Sequence, residues 1–529
     1  MKTLQAICVA GVLMTGAALS AYAAHAASQP AGQEQPKPNI VFILADDLGY
    51  GDVQCLNPQR GKIPTPNLDR LAAAGMVFTD AHSASSVCTP TRYGILTGRY
   101  CWRTRLQSGV LTGESKPLIP PQRLTVAKLL ARHGYRTACV GKWHLGLEMP
   151  ELPEGPPAGR SQAWRFDYAG QLRGGPTALG FDWFFGISAS LDMWPFAFIE
   201  NDRFTVPLTV EKQWLRRGPA AADFEAVDVL PTLASKAADF IARHAADAAT
   251  GRRPLFLYLA LTAPHTPIVP SQQWRGRSGL GDYADFVMQT DDAVGQVVTA
   301  LEKAGLERNT LVIVTSDNGC SPAAGIEQLE KLGHYPSGPL RGYKADIWEG
   351  GHRVPFIVRW PERVPAGSRS NQLVCLNDLL ATCAELVGDK LPDDAGEDSF
   401  SFLPALLQRQ PDPARPVREA VVLHSIHGRF AIRQGKWVLA LCPGSGGWSR
   451  PRDEEAAKKG LPPVQLYDLE ADIGQQHNLA DKHPQVVTQL RSLLEKYVAD
   501  GRSTPGKPQR NDVPVEIEKA NAPKPVGGR

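Results

Sequence analysis

Four apolar runs in this chain stop abruptly at residues able to do chemistry. "NIVFIL" runs into Asp46 and Asp47, "RTACV" into Lys142 and His144, "PLFLYLAL" into His265, and "TLVIVTS" into Asp317 and Asn318. Asp46, Asp47, Asp317 and Asn318 offer oxygen donors only. Such a set suits a hard cation, and calcium accepts a mixed carboxylate and amide shell more readily than magnesium does. Nitrogen and sulfur ligands at zinc spacing are absent. One Asp-Asp pair after a strand, taken alone, reads more readily as a helix cap with a solvated neighbour, but a second oxygen pair at another strand end makes a metal the better reading.

Cys88 stands in "SSVCTPTRYGILTGRY". Pro90 suits the first turn of a helix, and Thr89 reads as the cap before it. That placement puts Cys88 at the positive end of a helix, where free N–H groups and the helix dipole stabilise an anion. A lone cysteine is more often a buried structural residue. Its position alone leaves both readings open.

The elements that position these residues follow one grammar from Lys37 to Pro365. Short β-branched runs alternate with amphipathic helical stretches, among them 67–74 and 284–304. The alternation predicts an α/β fold: a large, mostly parallel sheet sandwiched by helices. In such sheets ligands bind beyond the carboxyl ends of the strands, so the four polar strand ends converge on one edge. A second region, 366–502, carries the short runs "EAVVLHS", "RFAIRQ", "KWVLAL" and "VQLYDLE" and a helical stretch over 486–498. It predicts a smaller α+β subdomain with an antiparallel sheet. The Pro-, Lys- and Asn-rich stretch 503–529 is expected to be a disordered tail.

The 529 residues suffice for a large core, and 57 basic against 54 acidic side chains leave a net charge of only +3. No global field steers the chain to nucleic acid or an anionic membrane, so anion affinity must be local. The opening "MKTLQAICVAGVLMTGAALSAYAAHAA" has one lysine, an apolar run and small residues at A-x-A spacing. It reads as a cleaved signal peptide over 1–26, which places the mature protein in the periplasm or outside the cell with no membrane insertion. Cys8 lacks the neighbours of a lipid-attachment site. The remaining eight cysteines are scattered, which allows one or two disulfides but no disulfide scaffold.

"CTPTRYGILTGR" resembles the signature of the formylglycine-dependent type I sulfatases, C-x-P-x-R followed by L-T-G-R. The resemblance extends through "ADDLGYGD", "GKWHLG", "APHTP", "SDNG" and "GYKADIWEGGHRVPFIVRWP". It implies an alkaline phosphatase-like fold and hydrolysis of a sulfate ester. It further implies that a separate maturing enzyme oxidises Cys88 to formylglycine ahead of export. The hydrated aldehyde then uses one oxygen to bind the metal and attack sulfur, and the other to expel sulfate. By the same resemblance Asp46, Asp47, Asp317 and Asn318 hold calcium together with residue 88, and Arg92 fixes the diol. Lys142 and Lys344 meet the sulfate oxygens. His144 serves the hydroxyl whose deprotonation releases sulfate, and His265 protonates the leaving alcohol.

Substrate selection is less legible. The aromatic loop "SLDMWPFAFIEN" contributes Asp192, and "LGHYPSGPLRGYK" contributes His334 and Arg341. All three are candidate sugar or aryl contacts, with loop packing as the even alternative. The leading expectation is a sulfuric ester hydrolase acting on a sulfated carbohydrate or an aryl sulfate. Its rivals are a phosphonate monoester or phosphodiester hydrolase of the same fold and a non-catalytic sulfated-glycan binding protein.

Overall fold

The structure is a computed structural model that describes residues 37–247, 253–407 and 416–519. The segment read as a signal peptide lies outside the described residues. No helix among the described residues is long and apolar enough to cross a membrane.

A ten-stranded sheet organises the chain. Its order is Ser368–Ser370, Met76–Phe78, Phe356–Arg359, Thr310–Ser316, Asn39–Asp46, Leu255–Pro264, Arg136–Lys142, Trp183–Ile187, Ile199–Glu200 and Arg203–Phe204. The central strands run parallel: Asn39–Asp46 pairs with Leu255–Pro264 on one side and Thr310–Ser316 on the other. Leu255–Pro264 pairs in turn with Arg136–Lys142. These are the four runs that end in polar residues, and parallel pairing brings all four ends to one edge. Their side chains are buried almost throughout, as a sheet covered on both faces requires. The helices Pro66–Ala73, Ala226–Ala246 and Asp282–Lys303 supply part of that cover. Phe356–Arg359 runs antiparallel to its neighbours, so the sheet is mixed toward one side.

The helix that carries Cys88 spans Cys88–Thr97 and is buried along its whole length. It begins two residues earlier than expected, with Val87 at the cap and no side-chain cap bond. The Thr89 hydroxyl instead accepts from the Leu111 backbone N–H at 3.2 Å. Pro90 is then the third helical residue, still among the four whose N–H has no intrahelical partner, so it disturbs nothing. At the far end Gly98 adopts φ 64° and closes the helix onto Gly94.

The second sheet is antiparallel, in the order Ala420–His424, Phe430–Gln434, Trp437–Ala440, Gln465–Asp468, with the Pro484–Ala499 helix against it. The described residues from Pro38 onward form one compact unit containing two apolar cores. The cores do not divide at 365/366. Val374, Leu379, Leu380, Phe402 and Leu406 belong to the large core, and Ser368–Ser370 is an edge strand of the large sheet. The helix Leu379–Leu386 packs on the Cys88–Thr97 helix, so residues 366–407 support the end of the molecule that carries Cys88.

The expected disordered tail is also corrected over 503–519. Ser503 is buried, Arg99 pairs with Asp512 at 3.0 Å, and Arg103 donates to Asn511 at 2.9 Å. Polar composition suggested a solvated tail, but here the polar groups are partners for two buried arginines. Among the described residues all eight cysteines are free thiols.

Candidate active site

The strand end at Asp46 and Asp47 is the centre of the site. The Lys142 Nζ donates to Asp46 Oδ2 at 2.7 Å. The Lys344 Nζ lies 2.6 Å from Asp47 Oδ1 and 2.8 Å from Oδ2. The Cys88 Sγ is 3.7 Å from Asp46 Oδ1. Asp317 takes two bonds from Arg92, from Nη2 at 2.7 Å and Nε at 3.2 Å, while Arg92 Nη1 reaches the Lys142 carbonyl at 3.0 Å. The Asn318 amide donates to Asp47 Oδ1 at 2.7 Å. Every one of these side chains is buried.

Local backbone geometry explains how so many charges meet. Asp47 and His144 adopt left-handed φ of 67° and 56°, and Ala345, next to Lys344, has φ 80°. These are three of the six non-glycine residues in that region among the described residues, a concentration typical of functional sites. Just before Lys142, Gly141 has φ 117°, and a Cβ there would come within 1.8 Å of the Ala260 carbonyl oxygen. Only glycine lets the two strands approach so closely and deliver the lysine.

Electrostatics set the roles. Burial would push the Asp46 carboxyl up, but Lys142, His265, Arg92 and Lys344 hold it well below the usual range. Asp317 is pushed up to about 6, by burial and then by the charge of Asp46. Burial raises the Cys88 thiol to about 12, so an unmodified Cys88 is a thiol and a poor nucleophile. His144 lies far below its ordinary value through burial and the nearby Lys142 and Arg92. His265 is lowered by burial and by Lys344.

The donors fit a hard divalent cation. Three buried carboxylates crowd together, and Asn318 Oδ1 has no protein partner although it is buried. Asp46, Asp47, Cys88 and His265 bring one potential ligand atom each to within 4.8 Å of one another. A cation placed among these oxygens relieves the carboxylate repulsion and satisfies the bare amide oxygen.

Both histidines have one ring nitrogen committed. His144 Nε2 donates to the Leu111 carbonyl at 2.7 Å, leaving Nδ1 buried and unpartnered. His265 Nδ1 donates to the Thr266 carbonyl at 2.6 Å, and Nε2 lies 3.8 Å from Asp47 Oδ2. Each therefore exchanges a proton at one defined atom.

The sulfatase family model matches residues 38–389. The chain belongs to the sulfatase family. Sulfatases of known activity lie close in sequence. An N-acetylgalactosamine-6-O-sulfatase of Bacteroides thetaiotaomicron is 34% identical over 511 residues, covering 88% of this chain and 94% of that protein. Human arylsulfatase A is 35% identical over 495 residues, covering 89% and 90%. A solved chain from work on the metabolism of multiple glycosaminoglycans by Bacteroides thetaiotaomicron superposes with TM-score 0.75 at 33% identity, covering 87% of this chain and 99% of its own. This sulfatase is thus an enzyme that hydrolyses sulfate esters, on a fold of the alkaline phosphatase type.

The expected substrate contacts fare differently from the core of the site. In this sulfatase His334 is fully buried, with Nε2 2.8 Å from Asp52 Oδ1 and Nδ1 accepting from the Lys62 N–H at 3.0 Å. Arg341 donates to the Gln475 carbonyl at 2.6 Å and stacks over Trp348, 3.6 Å from its ring centroid. Both fasten loops, because polar groups withdrawn from water need partners and find them within the protein. Asp192 is ion-paired with Arg216 of the Leu208–Trp214/Arg216–Ala221 hairpin.

The sequence reading missed a second polar cluster: His82, Glu349 and His352, all buried. His82 Nδ1 lies 3.1 Å from His352 Nδ1, while Asp80 joins His82 at 2.9 Å and Arg433 from the second sheet at 2.5 Å. It ties the approach to Cys88, the stretch after Lys344 and the small sheet together. The alternation Asp80-x-His82 was the available signal, since it puts both side chains on one face of an extended segment.

Proposed function

We propose that this sulfatase removes O-sulfate from a sugar of a sulfated glycan, with Cys88 matured to formylglycine and calcium held by Asp46, Asp47, Asp317 and Asn318. The observation that carries the reading is the convergence of Lys142 and Lys344 on adjacent carboxylates that face Cys88. 6-Sulfated N-acetylgalactosamine is the first substrate to test, on the strength of the bacterial relative. The signal-like N-terminus supports export to the periplasm or beyond, where a polymeric glycan is accessible.

Bound calcium, beside the hydrated aldehyde of formylglycine, would supply a nucleophilic hydroxyl at neutral pH and an electrophile for the sulfate oxygens. The chain's own residues do the rest. Lys142 and Lys344 hold positive charge where negative charge spreads over the sulfate oxygens in the transition state. Arg92 keeps Asp317 and the Lys142 backbone in place through three bonds. His144 accepts a proton at Nδ1, where burial and its cationic neighbours keep it neutral. With its Nδ1–H held by the Thr266 carbonyl, His265 must first take up a second proton at Nε2, and it is that proton which it delivers to the leaving alkoxide.

Two measurements test this. The peptide containing Cys88, from protein purified with its maturing enzyme, should be about 18 Da lighter than its cysteine form. The same preparation should hydrolyse 6-sulfated N-acetylgalactosamine and an aryl sulfate far faster than the matching phosphate esters. An unmodified cysteine in an active preparation, or a preference for phosphate, overturns the reading.

A further inference from the structure

One exposed tryptophan is anchored to the backbone two residues after Lys344. The segment Ser445–Ser449 of the small subdomain runs along Ala345–Ile347, the three residues after Lys344. The Ile347 N–H donates to the Ser445 carbonyl at 2.7 Å. The N–H groups of Trp448 and Ser449 both donate to Asp346 Oδ1, at 2.9 and 3.0 Å, and the Ser449 hydroxyl donates to Asp346 Oδ2. A Cβ on Gly447 would stand 2.3 Å from the Ala345 carbonyl oxygen, so only glycine permits this approach. The Trp448 loop is therefore fixed to the backbone that positions Lys344.

Despite that anchoring, the Trp448 side chain is only partly covered. It is 38% exposed, one of few large apolar side chains so placed among the described residues. It lines an open groove of about 840 Å³ with Pro322, Ile326, Tyr343, Arg450 and Arg452. Tyr343 immediately precedes Lys344, and Pro322 follows the Asp317-Asn318 loop by four residues, so the segments that carry these site residues also supply lining to the groove. Its carboxylates are occupied: Glu330 accepts from the Tyr343 hydroxyl at 2.8 Å, and Glu327 pairs with Lys331 at 2.8 Å. The guanidinium groups are much freer. Arg450 is 84% exposed and only 3.7 Å from Glu455, and Arg452 is exposed with one long bond to the Trp448 carbonyl.

We propose that this groove is a second saccharide subsite, in which Trp448 carries the sugar next to the sulfated one and Arg450 and Arg452 bind that neighbour's anionic group. A flat, amphipathic indole suits the C–H face of a pyranose. A guanidinium fork suits a carboxylate or a sulfate, so a uronic acid and a second sulfate ester satisfy the same chemistry. The inference rests on the sulfated-glycan reading above and assigns its second contact. It gives this sulfatase a preference for chains over single sulfated sugars.

The test uses Cys88→Ala, which cannot be matured and so binds without turnover. Calorimetry compares a 6-sulfated N-acetylgalactosamine monosaccharide with tetrasaccharides whose neighbouring sugar is a uronate, a sulfated hexose or a neutral hexose. Adding Trp448→Ala should lower the tetrasaccharide-to-monosaccharide affinity ratio about tenfold, the scale of one lost aromatic anchor. Adding Arg450→Gln with Arg452→Gln should erase the selectivity for an anionic over a neutral neighbour, and the uronate and sulfate arms identify the group read. A thermal melt checks that each variant is folded, and Trp448→Leu replaces Trp448→Ala if the latter is not. Unchanged ratios and selectivity overturn the subsite. Loss of glycan hydrolysis in the matured wild-type chain, with Trp448-dependent binding intact, overturns the sulfatase reading instead and leaves the subsite standing.

Discussion

Lys344 places its ammonium 2.6 Å and 2.8 Å from the two oxygens of Asp47, across 297 residues of sequence. The pair is buried, so neither charge is stable there without the other or without a replacement. A bound cation and an anionic substrate are such replacements: the cation takes over the Asp47 oxygens and the sulfate takes over the ammonium. Lys344→Ala should therefore lower kcat/KM for sulfate esters by about 10²–10³, as loss of one preorganised charge does. Steady-state kinetics on the matured enzyme check this, and a loss below threefold would place Lys344 outside the reacting centre.

The bare Asn318 Oδ1 and the crowded carboxylates make the site a cation trap. Dialysis against a calcium chelator should abolish activity and lower the melting temperature. Calcium at a hundredfold excess over its Kd should restore about 2.7 kcal/mol of stability. Equal restoration by magnesium would contradict the preference inferred from the donor set.

His265 should matter in proportion to the basicity of the leaving group. For a sugar sulfate the departing alkoxide needs a proton, and His265→Asn should reduce kcat by about 10²–10⁴. For a nitrophenyl sulfate, whose leaving phenolate is stable unprotonated, the loss should be much smaller. A loss equal for both substrates would mean that His265 acts through positioning and not by proton delivery.

Acid should destabilise the fold through two buried histidines. Burial lowers His352 and His424 to about 3, against an ordinary value of 6.5. The unfolded chain thus binds these protons first as pH falls. Their contribution is complete above about 6.5 and is lost progressively down to about 3, with a slope of up to about 2.7 kcal/mol per pH unit for two protons. Glu349 adds to this at lower pH: against burial, His82 and Arg433 hold it at about 2, so its contribution is lost between 4.5 and 2. Denaturant titrations between pH 7 and 4 should show the loss, and His424→Gln should reduce the slope by about half.

The sequence by itself determined which polar residues share one edge of the sheet, because each strand end and the loop after it form one local unit. Asp46-Asp47, Lys142-x-His144, His265 and Asp317-Asn318 fall where apolar runs stop, and parallel pairing of those runs leaves a single edge for them to share. The antiparallel second sheet was legible for the same reason, as four short alternating runs. Only the tertiary structure decided which polar residues were spent inside the protein. His334 and Arg341 have the right chemistry for a substrate, yet Asp52 and Gln475, from distant segments, consume them. The reverse holds for Trp448, whose place beside Lys344 depends on a loop stitched to Asp346 from a hundred residues away. Residues 366–407 joined the large core, and 503–519 packed on Arg99 and Arg103, for a related cause. Apolar periodicity records which face of an element is buried, while the partner of a buried polar group comes from another part of the chain and leaves no local trace.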